Sequence, residues 1–299
     1  MMCLRSLKHN TVKMKTLIID SNNLIHRTFW TAKNQANRSE GVNLTNLHIY
    51  FTLNAIYSYV NKYKPDKTIA VWDEKLDYQV NVRKTEFAGY KGNRSKDSTP
   101  HENNDTIKTM LSYLSVPSIF PRELEADDIV AYICKNTAGR KVIASVDQDF
   151  LQLVNEETIL FDPIRKKEFT HDKFEEMTGN TLDDWMTAKC LRGDKSDNVP
   201  GIPGFGKVKV KKYLDGEIAL NEEQQQTFDA NLSLFSLDKI DGMVNESKYY
   251  QDQLDVPVNS DWSSFIEECK HRDFHRILNK QESWHTLFLL GNKLSQLLS

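Results

Sequence analysis

Cysteine is scarce in this sequence. Only Cys3, Cys134, Cys190 and Cys269 occur among 299 residues, far apart and with no Cys-x-x-Cys pair. That spacing argues against a disulfide framework or a zinc site and fits a reduced, intracellular protein. Met1 to Lys15 carries basic residues without an apolar stretch, so this segment is not expected to be a secretory signal. No apolar run approaches membrane-spanning length, so no membrane partner is expected. Internal repeats and low-complexity tracts are absent. The histidines are scattered, and none joins a Ser or Cys in a pattern suited to nucleophilic catalysis. A basic balance is lacking too: 39 Lys and Arg face 42 Asp and Glu, a formal charge of −3. Taken alone, that charge argues against a nucleic-acid partner.

What is present is an uneven distribution. With 39% hydrophobic residues the chain can bury a sizeable core. Five carboxylates, Glu125, Asp127, Asp128, Asp147 and Asp149, fall within 25 residues and are interleaved with Ile, Val, Leu and Phe. Solvated acidic tails lack such apolar neighbours. Acids held beside a core repel one another and lose water, so they need protons or cations. Basic residues gather elsewhere, in one run at Arg83, Lys84, Lys91, Arg94 and Lys96 and another at Lys207, Lys209, Lys211 and Lys212. Separate acidic and basic patches make net charge a poor guide.

Residues 16–20 read as a buried strand ending in Asp20, and 67–73 as a second one ending in Asp73. Residues 116–120 and 141–146 supply two more, the last running into Asp147. Residues 44–63 form a long helix stopped by Pro65. Acids at successive strand ends predict an α/β fold, a mostly parallel sheet flanked by helices, with the site along its C-terminal edge. Residues 89–106 are polar and predict a mobile insertion over that edge. From Thr181 the pattern turns helical, which places a boundary near residue 180. Residues 1–14 are expected to be a flexible extension.

The acids along this edge number nine: Asp20, Asp73, Glu125, Asp127, Asp128, Asp147, Asp149, Asp194 and Asp197. An aspartate at a strand end is commonly a helix cap, and Asp20 alone would be read that way. Nine converging acids point to metal. On a helix, Glu125 and Asp128 share a face by i,i+3 spacing while Asp127 points elsewhere. Oxygen-only ligation favours Mg2+ or Mn2+ over zinc, and no run fits an EF-hand loop. Two such ions about 4 Å apart clamp the attacking and leaving oxygens of a phosphodiester. Tyr90-Lys91-Gly92-Asn93-Arg94 adjoins the edge and is placed to neutralise a scissile phosphate. In Gly201-Ile202-Pro203-Gly204-Phe205-Gly206-Lys207, glycines precede a helix and leave backbone N–H groups for a phosphate, with Lys211 extending the face. The reading is a helix-hairpin-helix that grips a DNA backbone without reading bases. Gln281, Trp284, Leu287 and Phe288 have the spacing of a sliding-clamp-binding peptide, and equally that of the core face of a terminal helix, which is the preferred reading.

Together these motifs resemble the 5′-nuclease family: phage 5′-3′ exonucleases and flap endonucleases, and the 5′-nuclease domain of bacterial DNA polymerase I. The resemblance covers roughly residues 15–215. It implies a PIN-like, Rossmann-like catalytic domain over 15–180, an arch insertion over about 83–106 through which a single-stranded 5′ end passes, and a helical domain over 181–299 with its helix-hairpin-helix at about 190–214. It implies two Mg2+ ions, one on Asp20, Asp73, Glu125 and Asp127 and the other on Asp147, Asp149, Asp194 and Asp197, with Asp128 matching the family's second aspartate of the pair. Catalysis would rest on Asp20, Asp73, Glu125 and Asp147 with Lys91 and Arg94. Tyr90, Lys91, Arg94, Gly201, Gly204, Gly206, Lys207 and Lys211 would meet DNA, and K+ would sit at the hairpin. The implied substrate is branched or 5′-ended duplex DNA, with RNA annealed to DNA a further one, cut by a monomeric, free-standing replication nuclease such as phages encode. A PIN-like ribonuclease and a non-catalytic junction-binding protein are the alternatives. The first usually has fewer acids and no lysine-rich hairpin, and the second has no need of carboxylates at every strand end.

Overall fold

The computed structural model describes residues 14–73, 82–93, 99–257 and 259–290. Arg94 and Lys96 lie outside these residues, as does the expected extension apart from Met14. The element order is β1 (Lys15–Asp20), α1 (Ser21–Ala36), α2 (Leu44–Tyr63), β2 (Lys67–Val71), α3 (Val82–Glu86), α4 (Asn104–Tyr113), β3 (Ser118–Ile119), α5 (Ala126–Asn136) and β4 (Arg140–Ala144). There follow β5 (Thr158–Asp162), β6 (Lys167–Phe169), α6 (Phe174–Thr178), α7 (Leu182–Arg192), β7 (Gly193–Asp194), β8 (Val199–Pro200), α8 (Lys207–Leu214) and α9 (Glu222–Phe235). The chain then continues through α10 (Val244–Asp255), α11 (Trp262–His271), α12 (His275–Leu278) and α13 (Gln281–His285).

Continuous apolar runs such as Leu17-Ile18-Ile19 suit strands covered on both faces. Six of the eight described strands form one sheet in the order β3-β2-β1-β4-β5-β6, parallel except for the β5–β6 pair, and β7 and β8 form a separate antiparallel pair. Alternate residues of each strand face opposite layers. Leu17, Ile19, Ala70, Trp72, Val142 and Ala144 meet α1, α2, α4 and α11 on one side. Ile18, Ile69, Val71, Ile143 and Leu160 meet α5, α7 and α10 on the other. The crossover at β1, whose parallel neighbours are β2 and β4, leaves the strand C-termini at one edge, where loops can gather a site.

Three expectations change. The polar segment before α4 is not a loose insertion over its described part: Tyr90 is buried, and α4 begins at Asn104. The boundary near residue 180 does not separate two cores. Leu237, Ile240, Tyr250 and Leu254 pack on one face of the sheet, while Phe265, Phe274, Trp284 and Phe288 pack on the other. Trp284 stacks on Tyr57 with ring centroids 4.5 Å apart, so this segment is core and offers no clamp-binding peptide. The β5–β6 hairpin is an addition that the strand pattern did not suggest. Among the described residues no helix is long and apolar enough to cross a membrane.

Candidate active site

Asp20 ends β1 and is also the N-cap of α1: one carboxylate oxygen accepts the Asn23 amide at 3.1 Å. Its other oxygen accepts the Ser145 hydroxyl at 2.6 Å. Ser145 follows β4, and its Oγ also accepts the Asp147 amide at 3.0 Å. One serine thus fixes the acids of two adjacent strand ends. Asp147 in turn caps the short 3-10 helix after β4, accepting the Asp149 amide at 2.8 Å. Cap and functional group are the same residue at both places, because a strand end that starts a helix presents a carboxylate to backbone donors and to the edge at once. Asp73, beyond β2, is held through its amide by Asn22 Oδ1 at 3.3 Å.

Burial, then the charges of Asp147 and Asp73, raise Asp20 to about 6 despite the hydrogen bonds from Ser145 and Asn23. Asp127 is pushed well above the carboxylate range, first by burial and then by Asp147, Glu125 and Asp20, against the pull of Lys91. Burial also lifts Asp149 to about 6, with Asp147 and Asp197 adding to it and Lys189 opposing. Glu125 goes the other way: burial would raise it, but Lys91 and Arg83 together hold it below its ordinary value. These mutual influences link Asp20, Asp73, Glu125, Asp127, Asp147, Asp149 and Asp197 into one electrostatic group, and Lys189 joins Asp194 to it.

Asp128 is a correction. Glu125 is the cap of α5 rather than part of it, so helical spacing from it does not apply. Asp127 faces the other acids, and Asp128, fully buried, faces away. Its Oδ2 accepts Arg83 Nη1 at 2.5 Å and the Glu125 amide at 3.1 Å and its Oδ1 accepts Arg83 Nη2 at 2.6 Å, so the carboxylate is neutralised by a buried guanidinium and held away from the other acids. Arg83 also donates to the carbonyls of Leu234 and Ser236 at 2.8 and 3.0 Å. Read in the sequence as part of a basic run, it is a buried tie between α3, α5 and the end of α9.

Lys91 Nζ lies 2.8 Å from Glu125 Oε2, and the Tyr90 hydroxyl donates to the same oxygen at 3.0 Å. Lys91 has a left-handed backbone, φ 53°, a conformation that side-chain residues keep only under outside constraint. The constraint is visible in three hydrogen bonds between this turn and the loop carrying Asp197. Lys91 N donates to Asp197 O at 2.9 Å, Asn198 Nδ2 to Gly89 O at 2.9 Å, and Asn93 Nδ2 to Lys195 O at 3.1 Å.

Lys189 on α7 is a site residue that sequence reasoning missed. Its buried ammonium pairs with Asp149 and lies 3.1 Å from Asp194 Oδ2. The available signal was a lysine set among Ala188, Cys190 and Leu191, all buried, five positions before Asp194. Burial opposes its charge, yet Asp149 and Asp194 raise it further, so it stays an ammonium. Asp194 is lowered against burial by Ser196 and Lys189.

Among the described residues no three His, Cys, Asp or Glu side chains are gathered tightly enough to hold a metal. The acids are spread along the edge with Lys91 and Lys189 between them. Their donor set still fits hard divalent cations: it is all oxygen, and three members are driven toward protonation by burial.

The glycine-rich connector divides into two parts. Gly201 serves packing, since a Cβ there would lie 2.1 Å from Arg192 O, where β7 and β8 cross closely. Gly204, at φ 82°, and Gly206, the N-cap of α8, face open space. Ile202, Phe205 and Val210 anchor this hairpin on Ala188 and Leu191 of α7, leaving Lys207 and Lys211 exposed.

Residues 15–179 match the family described as 5′-3′ exonuclease, N-terminal resolvase-like domain. The chain is similar to the 5′-3′ exonuclease of Aquifex aeolicus, 33% identical over 201 residues that make up 64% of this chain and 66% of that protein. It is also similar to DNA polymerase I of Caldicellulosiruptor bescii, 28% identical over 247 residues, 78% of this chain but 27% of the polymerase. It therefore spans well under half the length of that relative. Among solved structures, the T5 D15 protein co-crystallised with metal ions superposes with a TM-score of 0.62 at 19% identity, covering 80% of this chain and 98% of the other. At that identity the likeness speaks for the fold. The family match runs from the first residue of β1 past the end of α6, more than half of the chain, and with it the chain belongs to the 5′-nuclease family, the 5′-3′ exonucleases that share this N-terminal domain.

Proposed function

We propose that this protein is a structure-specific 5′-3′ exonuclease and flap endonuclease that hydrolyses DNA phosphodiesters with two divalent ions, Mg2+ or in its place Mn2+. The observation that carries the reading is the acid edge: eight carboxylates from separate strand ends and loops form one group, three of them raised by burial and mutual repulsion. Asp20, Asp73, Glu125 and Asp127 would hold one ion, and Asp147, Asp149, Asp194 and Asp197 the other. Such ions activate a water as nucleophile and stabilise the departing oxygen.

The chain's own residues do the rest. Ser145 holds Asp20 and Asp147 in fixed orientation. Lys91, pinned by its left-handed backbone, presents an ammonium beside the edge to oppose charge growing on the scissile phosphate, and Arg94, three residues on, is assigned the same role. Tyr90 and Lys91 keep Glu125 ionised. Lys189 pairs with both Asp149 and Asp194 and favours their ionised forms. The turn at Gly204–Gly206 offers backbone amides to a duplex phosphate, Lys207 and Lys211 flank it, and K+ is assigned to this hairpin. The T5 D15 flap endonuclease, a fold neighbour, is described in complex with DNA and metal ions, which supports DNA as the substrate class. RNA annealed to DNA and a role in replication or repair extend the same reading.

Cleavage of end-labelled 5′-flap, nicked and single-stranded RNA substrates with and without Mg2+ tests it. The expected result is Mg2+-dependent cutting of flap and nick. Cutting confined to RNA would replace this reading with a PIN-like ribonuclease, and tight binding without any cutting would replace it with a junction-binding protein.

A further inference from the structure

We propose that α10 is a strut that sets where Glu125 and Asp127 stand on the acid edge, with Glu246, Tyr250 and Gln253 as its positioning residues. The inference rests on the nuclease reading above. Glu125 caps α5 and Asp127 lies in its first turn, and the loop from Phe120 to Leu124 carries the chain to them from β3. α10 itself lies outside residues 15–179, the part that matches the family domain.

A loop leaving the outermost strand of a sheet has backbone donors and acceptors that need partners. Here α10 side chains supply them. Phe120 N donates to Gln253 Oε1 at 3.1 Å, and Gln253 Nε2 donates back to Phe120 O at 3.3 Å. One carboxamide thus makes the paired exchange that a neighbouring strand would make. Arg122 N donates to the Tyr250 hydroxyl at 3.2 Å, and that hydroxyl donates to Glu246 Oε2 at 3.0 Å. The other Glu246 oxygen takes the Arg122 guanidinium, which also lies 4.9 Å from the centre of the Tyr249 ring. Main chain and side chain of Arg122 are both held, three residues before Glu125.

Glu246, Tyr250 and Gln253 recur at i, i+4 and i+7, which is one face of a helix. Glu246 and Tyr250 are buried. A buried carboxylate destabilises a fold unless it is paired and hydrogen-bonded, and the arginine that pairs with Glu246 comes from the loop. The strut is anchored away from the loop as well. Leu254 packs on the sheet, and Lys67 Nζ, at the start of β2, donates to Leu254 O at 3.1 Å. Tyr132 of α5 donates to Ser247 O at 3.1 Å, so the loop and the helix it leads into are tied to one body. Tyr90 and Lys91 hold the Glu125 side chain from the other direction. Groups behind a metal ligand that fix its place commonly matter by about 10- to 100-fold in metal affinity or activity.

The test compares the parent with two variants of the full chain. Tyr250→Phe with Gln253→Leu unties the loop, whereas Leu254→Ala loosens α10 against the sheet and keeps the bonds to the loop. Gln253→Leu alone, at a half-buried position, replaces the pair if the pair does not fold. Amide hydrogen exchange, Mn2+ uptake followed by the spin resonance of the free ion, and single-turnover cleavage of a 5′ flap are measured on each. In the untied variant the amides of residues 122–128 should exchange faster and Mn2+ affinity should fall about tenfold. Its cleavage rate at limiting Mn2+ should fall alike and recover in excess Mn2+, with flap binding at the parent level. Leu254→Ala should lower the melting temperature and leave Mn2+ affinity at the parent value. Parent-like Mn2+ affinity in the untied variant would overturn the proposal. Equal loss of that affinity in both variants would also overturn it, reducing α10 to a general stabiliser. A parent that binds Mn2+ and cuts nothing would sink the nuclease reading, while the Mn2+ comparison would still decide the role of α10.

Discussion

Replacing Asp20 with Asn should stabilise the metal-free protein. The substitution keeps the shape of the side chain: its carbonyl still caps α1 at Asn23, and its amide donates to Ser145 Oγ in place of the bond now accepted from it. What it removes is a charge held among Asp147 and Asp73 in a buried setting, where the carboxyl is raised from 3.8 to about 6. At 1.36 kcal/mol per pKa unit, that difference corresponds to about 3 kcal/mol of destabilisation at neutral pH. The sign follows from proton linkage. Between the two pKa values the folded state binds the proton more tightly than the unfolded chain, so stability falls as pH rises from about 4 to about 6 and stays low above. The assay is thermal or urea denaturation in chelator at pH 4 and 7.5, repeated with Mg2+. The variant should exceed the parent at pH 7.5, converge with it at pH 4, and gain less from Mg2+. A variant equal to or weaker than the parent at pH 7.5 in chelator would refute the view that these acids are short of cations.

Lys189→Met should act in the opposite direction: removing one partner of a buried pair costs about 3–5 kcal/mol, seen as a lower melting temperature in chelator that divalent ions partly restore. Arg83→Met should cost a similar amount by stranding Asp128, and the double variant with Asp128→Leu should recover most of it, since a buried pair exchanged for apolar groups is often near neutral. A double-variant cycle in urea measures both. Lys207→Ala with Lys211→Ala should weaken duplex binding and lower the salt slope by about two; an unchanged slope in a fluorescence titration would remove the phosphate-gripping role of α8.

The acids at strand ends were legible because the strands are short, continuous apolar runs, and a carboxylate that ends such a run has one edge to occupy. Asp20 and Asp147 could be placed that way from sequence. Asp128 could not, because its partner Arg83 comes from 45 residues away and the pairing depends on α3 docking beside α5. Lys189 was hidden for a related reason: a lysine in a helix reads as solvated until the fold buries that face against Asp149. The insertion read as mobile because its residues are polar, yet Tyr90 and Arg83 bury their length and bond through their tips. The boundary near residue 180 marked a real change of pattern from strand to helix. It missed the return of Tyr250 and Trp284 to the two faces of the sheet, since helical spacing shows that a face is covered but not by what. At Gln281–Phe288 that same ambiguity lay between a peptide for a partner and a helix for the core, and burial of Trp284 decides it.

The central claim is that the edge acids bind the ions that cut DNA, and single-turnover cleavage of a labelled 5′ flap in Mg2+ tests it most directly when set beside binding to the same substrate. Asp147→Asn and Asp194→Asn should each abolish cleavage while leaving binding to the forked duplex largely intact. Parent-like cleavage by either variant would contradict the assignment of these acids to a two-ion site.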